Sequence, residues 1–557
     1  MIPVDLGLPA KFTAFRGDQL DTAIDIAASD KRFFIDAMPT GGGKSVMYMA
    51  VAQILGARTM VLTANKGLQQ QLSGDFAPIG LVDVRGQANY PCIALHHKKG
   101  FHGCDKGPCH HGVRCEYHPR FGDRVGCEWF DALRRARKSR LVVSNYDFWM
   151  AANRYMEPDI LGAFDLLILD EAHDAPDKLA EFCEVDLREA ECNEFLQTSL
   201  PPIEDGVDAW ADWAEHHRPR LARDLEAARE WAGDDPETAN RLRTFAGKVE
   251  FLATARTWQR GEPSEPTIQI PGQVNDWVAE RNGGPRGGNP GAIFSPVWAH
   301  RYAERFLFVG VPKVVLVSAT IMPITAKYLG IPADEMEFRE HASSFHPERR
   351  PVYVLPAAQI SSKSSDSDYR ALIAKTDQII RDRSDRNGLV HTVSYRLADT
   401  IVGGSDFRSR ILSCRKVPGG WSRTPAREVV DRFKRAAVGS ILVGPSFDTG
   451  FDFPYQECEY QIIVKMPFID SRPKVIEARK KSDKQYLNYV TVLRLIQMCG
   501  RGMRASDDRC ETFILDANAL WFLRAAKGML PAWFRAAIRY IDRIPAPLPK
   551  ITNRSTN

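Results

Sequence analysis

A Gly-rich loop set between a short apolar run and a longer one constrains this chain more than any other feature. Arg32-Phe33-Phe34-Ile35-Asp36-Ala37 reads as a strand, Met38-Pro39-Thr40-Gly41-Gly42-Gly43-Lys44-Ser45 as the loop, and Ser45 to Leu55 as the helix that follows. In such a loop the backbone N–H groups turn inward around phosphate oxygens. Lys44 then offers a charge to the β- and γ-phosphates, and Ser45 offers a Mg²⁺ ligand. Met38 stands where the usual first glycine would be. Taken alone the stretch could be an ordinary Gly-rich turn, but the strand before it and the helix after it favour the phosphate reading.

A second apolar run, Leu166-Leu167-Ile168-Leu169, ends in Asp170-Glu171-Ala172-His173. Ligands of open parallel sheets bind at the carboxyl ends of strands. There Asp170 would hold Mg²⁺ through water, and Glu171 would orient and deprotonate an attacking water. An acidic pair at a helix start is the bland alternative, and the loop upstream weighs against it. The two elements together predict hydrolysis of a nucleoside triphosphate.

Further β-rich runs are Thr59 to Thr63, Leu141 to Asn145 and Val314 to Ser318, alternating with helical stretches. Past Ser361-Ser362-Lys363-Ser364-Ser365 a second such set follows, with Gly388 to Thr392, Ser440 to Gly444, Gln461 to Val464 and Glu511 to Leu515. Both halves are therefore expected to be parallel sheets covered by helices. The chain's 557 residues leave room for three or four domains. Two segments break the rhythm. Residues 86–135 are rich in Cys, His and Gly, and residues 176–303 look largely helical, as from Trp210 to Trp231, with a Gly/Pro-rich loop at 282–290.

The total charge, 74 − 70 = +4, says little about partners. Locally, His96 to Arg140 carries eleven Lys/Arg against five Asp/Glu, a balance suited to phosphate backbones or simply to a solvated face. No apolar run approaches a membrane span and the N-terminus lacks a signal-peptide pattern, so no membrane contact and a cytoplasmic location are expected. In that compartment the eleven cysteines, five of them within residues 92–127, suggest metal rather than disulfides.

Gln497-Met498-Cys499-Gly500-Arg501-Gly502-Met503-Arg504 is a third element. On a helix, Arg501 and Arg504 would share one face. They could stabilise charge on a γ-phosphate as arginine fingers, or form a plain basic surface.

In this order the three elements resemble the motifs of superfamily 2 helicases. Phe15-Arg16-Gly17-Asp18-Gln19 is similar to the adenine-reading segment, with Gln19 as the base contact. Thr63-Ala64-Asn65-Lys66 resembles a strand-contacting motif, and Ser318-Ala319-Thr320 the coupling motif. Ser446 to Phe453 resembles the stretch that XPD-type proteins write Glu-Gly-(Ile/Val)-Asp-Phe, and Asp448 and Thr449 depart from it.

Cys92, Cys104, Cys109, Cys115 and Cys127 lie where the XPD/DinG family carries a [4Fe–4S] domain. Gln87 to Cys92, Cys127 to Phe130 and Ser144-Asn145-Tyr146 resemble its borders. Four thiolates hold one cubane. Cys92, Cys109, Cys115 and Cys127 are the expected ligands and Cys104 the spare. Zinc is the alternative, given His96, His97, His102, His110, His111 and His118 in the same segment.

The resemblance implies two RecA-like α/β domains that sandwich ATP, with a cysteine-rich metal domain and a helical arch inserted in the first. Residues 1–85, 136–175 and 304–348 would build domain 1, 86–135 the metal domain, 176–303 the arch and 349–557 domain 2. It further implies nucleotide contacts from Gln19, Pro39, Thr40, Gly41, Gly42, Gly43, Lys44, Ser45, His173, Gly450, Asp452 and Gln497. Mg²⁺ would sit at Ser45 and Asp170, and chemistry would come from Lys44, Asp170, Glu171, Arg501 and Arg504. The expected activity is ATP-dependent DNA unwinding in the 5′→3′ direction by a monomer of bacterial or phage type. Its partners would be single-stranded DNA and DNA junctions, in repair, replication or recombination. A translocase that does not separate strands, a nucleotide-gated scaffold and an RNA substrate are the other readings.

Overall fold

The computed structural model describes residues 1–550 apart from 40, 98–99, 112–113, 120–121, 123, 157–159, 233, 255–276, 283–290, 362, 417–422, 446, 448–450, 452 and 504–507. Strands β1 (Phe33–Ala37), β2 (Thr59–Thr63), β3 (Leu81–Asp83), β4 (Leu141–Asn145) and β5 (Leu166–Asp170) come first. Next come β6 (Val185–Arg188), β7 (Trp277–Asn282) and β8 (Gly291–Pro296), then β9 (Lys313–Ser318) and β10 (Met336–Glu340). The first sheet runs β10-β1-β9-β5-β2-β4-β3 with every pair parallel.

Its central strands β1, β2 and β5 are buried at every position because helices cover both faces. Along β5, Leu167 and Leu169 enter one core while Leu166 and Ile168 enter the other. That is the period-2 alternation of a strand with two buried faces. The helix Lys44–Leu55 is likewise buried from Val46 through Ala52, so the phosphate loop rests on an immobile base.

The second domain contains β11 (Val352–Ala358), β12 (Gly388–His391), β13 (Ile411–Ser413), β14 (Ile441–Gly444), β15 (Tyr460–Ile463), β16 (Glu511–Asp516) and β17 (Ile538–Tyr540). Its order is β13-β14-β12-β15-β16-β11-β17, again parallel throughout. Arg383 and Glu511 form a two-pronged ion pair inside it, with Nε–Oε2 2.8 Å and Nη2–Oε1 2.7 Å and both side chains fully buried.

The inserted block is less helical than its pattern suggests. Its helices Gly206–Trp231 and Pro236–Ala253 pack against each other, but β6, β8 and β7 form a separate antiparallel sheet. Strands of four to six residues leave little periodic signal beside helices of 26 and 18. The described residues of 86–127 hold short 3-10 turns and one isolated bridge between Pro91 and Gly103, and the helix Glu128–Lys138 closes the segment. That helix buries Trp129, Ala132, Leu133 and Ala136, and it exposes Arg134, Arg135, Arg137 and Lys138. Among the described residues no helix is long and apolar enough to cross a membrane.

Candidate functional site

The order β1-β9-β5 brings three strand ends side by side: the phosphate loop after β1, Ser318 at the end of β9 and Asp170 at the end of β5. The Met38 N–H donates to Ser318 O at 3.1 Å and seats the loop against β9. Gly41 needs to be glycine twice over: its φ is +77°, and a Cβ there would meet the ring of Phe345. Thr40 lies outside the described residues.

Lys44 Nζ is 2.9 Å from Glu171 Oε1. Burial would raise the Glu171 carboxyl, but the Lys44 ammonium and His173 prevail and hold it well below the usual carboxylate range. Burial and the adjacent Glu171 charge push Asp170 up to about 6. Asp170 Oδ1 accepts from the Glu171 N–H at 2.9 Å, and Oδ2 accepts from the Tyr48 hydroxyl at 3.2 Å. Tyr48 was missed by the motif reading. It lies three residues after Ser45 on the same helix, a spacing that puts both on one face. Glu171 itself adopts φ +52°, a left-handed conformation that a glutamate rarely takes.

His173 joins the domains. Its Nδ1 is 2.6 Å from Ser318 Oγ, which in turn donates to Glu171 Oε2 at 3.2 Å, and its Nε2 meets the Gln497 side-chain amide of domain 2. Burial would lower the imidazole, yet Asp174 and Glu171 outweigh it and raise His173 to about 10. Gln497 is on the helix Tyr486–Cys499.

Arg501 is not on that helix. The expected shared helical face does not form, because the helix stops at Cys499 with Gly500 as its cap. The Arg501 guanidinium bonds Phe451 O at 3.0 Å and Gln497 O at 3.2 Å. Arg504, Gly450 and Asp452 lie outside the described residues.

Gln19 turns onto the loop. Its Nε2 donates to Gly42 O at 2.5 Å and Gly43 O at 3.0 Å, and its Oε1 accepts from the Arg16 N–H at 2.8 Å. The amide thus welds the segment 15–19 to the loop that Lys44 follows.

The five cysteines gather. Cys104 is in thiol contact with both Cys92 and Cys127, and Cys109 with Cys115. Donation from Cys104 lowers Cys92 and brings Cys127 to about 6, and donation from Cys109 brings Cys115 to about 7. Gly107 packs so closely that a Cβ would stand 2.8 Å from Cys92 Sγ. Cys104, expected to stand apart, is buried between two others. Among the described residues no three His, Cys, Asp or Glu side chains converge as a single ion requires.

Two sequence families match the chain: "Type III restriction enzyme, res subunit" over residues 15–197, and "Helicase C-terminal domain" over 380–537. The first contains the loop and the acidic box, and the second contains Gln497 and Arg501. The chain carries a helicase C-terminal domain and has an XPD-like fold. A solved structure named "XPD_Helicase" has TM-score 0.63 at 14% identity, covering 94% of this helicase and 100% of that chain. Xpd4 of S. tokodaii gives 0.57 at 13% over 94% and 100%. A structure named "XPD_APO" gives 0.56 at 12% over 94% and 99%. No curated protein matches this helicase.

Proposed function

We propose that this helicase hydrolyses ATP to travel 5′→3′ along single-stranded DNA and to part duplexes and junctions in repair, replication or recombination. The observation that carries this reading is the chain Glu171–Ser318–His173–Gln497, which runs from the water-activating carboxylate of domain 1 into domain 2.

Ser45 and Asp170 would hold Mg²⁺, which when bound supplies positive charge to the phosphates. The buried carboxylate of Asp170, oriented by Tyr48 and its own chain neighbour, fits that task. Thr40 to Gly43 would cradle phosphate oxygens through backbone N–H groups, which Pro39 beside them lacks. Lys44 leaves Glu171 for the β/γ-phosphates, and Glu171 then turns to the attacking water and takes its proton. Arg501, with Arg504, neutralises charge developing on the γ-phosphate. Gln19 reads the adenine from the segment it fastens to the loop, while Gly450 and Asp452 remain the nucleotide contacts that the family resemblance implies for domain 2.

Four of the five thiolates would hold a [4Fe–4S] cluster, which when bound supplies a rigid cross-link. Their contacts support Cys104 as a ligand with Cys92 and Cys127. The fourth ligand then comes from the Cys109–Cys115 pair, a revision of the spacing-based choice. The exposed arginines of helix Glu128–Lys138 would guide a phosphate backbone past the cluster. Reduced thiols of this kind suit a cytoplasmic enzyme.

Strand displacement on duplexes with a 5′ or a 3′ single-stranded tail tests the reading. Unwinding from the 5′ tail with DNA-stimulated ATP hydrolysis is expected. Hydrolysis without displacement would make it a translocase, and stimulation by RNA alone would overturn the DNA assignment.

A further inference from the structure

His341 leaves the end of β10 and opens the connection to domain 2. Its N–H donates to Ala37 O at 3.0 Å, which extends the β10–β1 pairing by one residue. Its ring is buried between two carboxylates: Nε2 lies 2.5 Å from Asp36 Oδ1, and Nδ1 lies 2.8 Å from Asp18 Oδ2. Asp36 is fully buried, two residues ahead of the phosphate loop, and its Oδ2 has no hydrogen-bond partner. Asp18 is exposed at the head of the helix Gln19–Ala28.

Both ring nitrogens face anions, so both must donate. A neutral imidazole has only one N–H, and its lone pair would then oppose a carboxylate. The arrangement therefore calls for an imidazolium. Arg339, which bonds Thr22 Oγ1 at 3.1 Å and pairs with Asp25, adds a second cation on the same side. None of these residues touches the phosphates in the scheme above. Yet Asp18 directly precedes Gln19, whose amide grips Gly42 and Gly43.

We propose that His341 is a positioning residue for base selection: it fixes the segment 15–19, through Asp18, to the strand that carries the phosphate loop, through Asp36. The inference rests on the reading of that segment as the base-contacting one. Fixing both ends to one cation sets the height of the segment above the loop. Losing the cation lets the base slide while the phosphates remain held.

The test compares kcat and KM for ATP and GTP in the full-length protein and in the variants His341→Ala, Asp18→Asn and Gln19→Ala. Asp18 is exposed, so D18N strips the tether of its counter-charge without opening a cavity, should H341A fail to fold. Both tether variants are expected to raise KM for ATP about tenfold, the scale of one lost charged hydrogen bond, with kcat within about twofold and KM for GTP unchanged. Discrimination in the wild-type protein should also fall at high pH as His341 loses its proton between Asp18, Asp36 and Arg339.

An equal fall in kcat for both nucleotides, with discrimination intact, would overturn the proposal. If Q19A loses the preference for ATP but D18N and H341A keep it, base reading stands and the positioning role fails. If Q19A keeps the preference while D18N loses it, the tether stands and Gln19 is not the reader. A wild-type protein indifferent to the base overturns both.

Discussion

Lys44 and Glu171 face each other across 2.9 Å, cation against carboxylate. Each group is thereby neutralised by the other. In the proposed scheme a γ-phosphate would compete for Lys44 and release Glu171 in the same event, which would tie water activation to the arrival of the substrate. Ser318 and His173 hold the other carboxylate oxygen throughout.

Lys44→Ala should abolish hydrolysis and weaken nucleotide binding. Glu171→Gln should retain binding, because the loop and Lys44 that would hold the phosphates are untouched, while turnover falls by at least about a hundredfold. Nucleotide titration and phosphate release measure the two effects. An E171Q protein with wild-type turnover would mean that another group activates the water.

Arg501→Ala should lower kcat by about a thousandfold if the residue acts as a finger, with a small change in KM for ATP. Gln497→Ala should instead keep basal hydrolysis and blunt its stimulation by DNA, since it breaks the contact with His173. Steady-state kinetics with and without single-stranded DNA separate the two.

Anaerobically purified protein should be brown. Cys92→Ser, Cys104→Ser and Cys127→Ser should each bleach it, and only one of Cys109→Ser and Cys115→Ser should do so. Iron content and the visible spectrum decide the set. A colourless protein holding one zinc would replace the cluster and leave the ATPase scheme untouched. A brown C104S protein would restore the spacing-based choice of ligands.

Stability should depend on pH through His341. Burial alone would lower its pKa, but the hydrogen bonds and charge of Asp36 and Asp18 raise it. A histidine whose folded pKa is raised contributes fully below its unfolded value and loses that contribution as pH rises through the folded one. The melting-temperature gap between wild type and His341→Gln should therefore be widest below the ordinary histidine value, about pH 6.5, and shrink as pH rises through the raised folded value.

Glu511→Gln should destabilise domain 2 by about 3–5 kcal/mol, because it leaves the Arg383 guanidinium buried without its counter-charge. Denaturant unfolding would register the loss. A joint replacement of both by apolar residues of similar volume should recover most of it.

The parts of this molecule that could be read from sequence are those whose physics is local. β1, β2, β4 and β5 are short apolar runs with both faces covered, and the loop after β1 is contiguous. β11 escaped notice because Pro356 interrupts its run and its pairing with β16 shifts register. The sheet of the inserted block escaped because its strands are brief. Arg501 was placed on a helix that Gly500 ends. His341 was invisible for a different reason: it meets Asp36 and Asp18 from 305 and 323 residues away, and no spacing rule reaches that far. Cys104, expected to be the spare, is in thiol contact with Cys92 and Cys127, a neighbourhood that its place in the chain does not reveal.

The passage between the domains is pinned at both ends. His341 is tied to β1, and Arg350 bonds Phe345 O at 3.1 Å and Trp533 O at 2.9 Å, while the Phe345 ring is buried in the domain 2 core with Val429 and Phe433. Only residues 342–344 are left to turn, a length of at most about 10 Å. Any opening of the cleft must then be a swing about a short pivot beside the phosphate loop, not a sliding apart. Such a lever has unequal arms. Displacements near Gly41 stay small, and the rim of domain 2 farthest from the pivot sweeps the widest arc, so in the proposed translocation the size of each stride would be set by how far from Phe345 the strand is gripped.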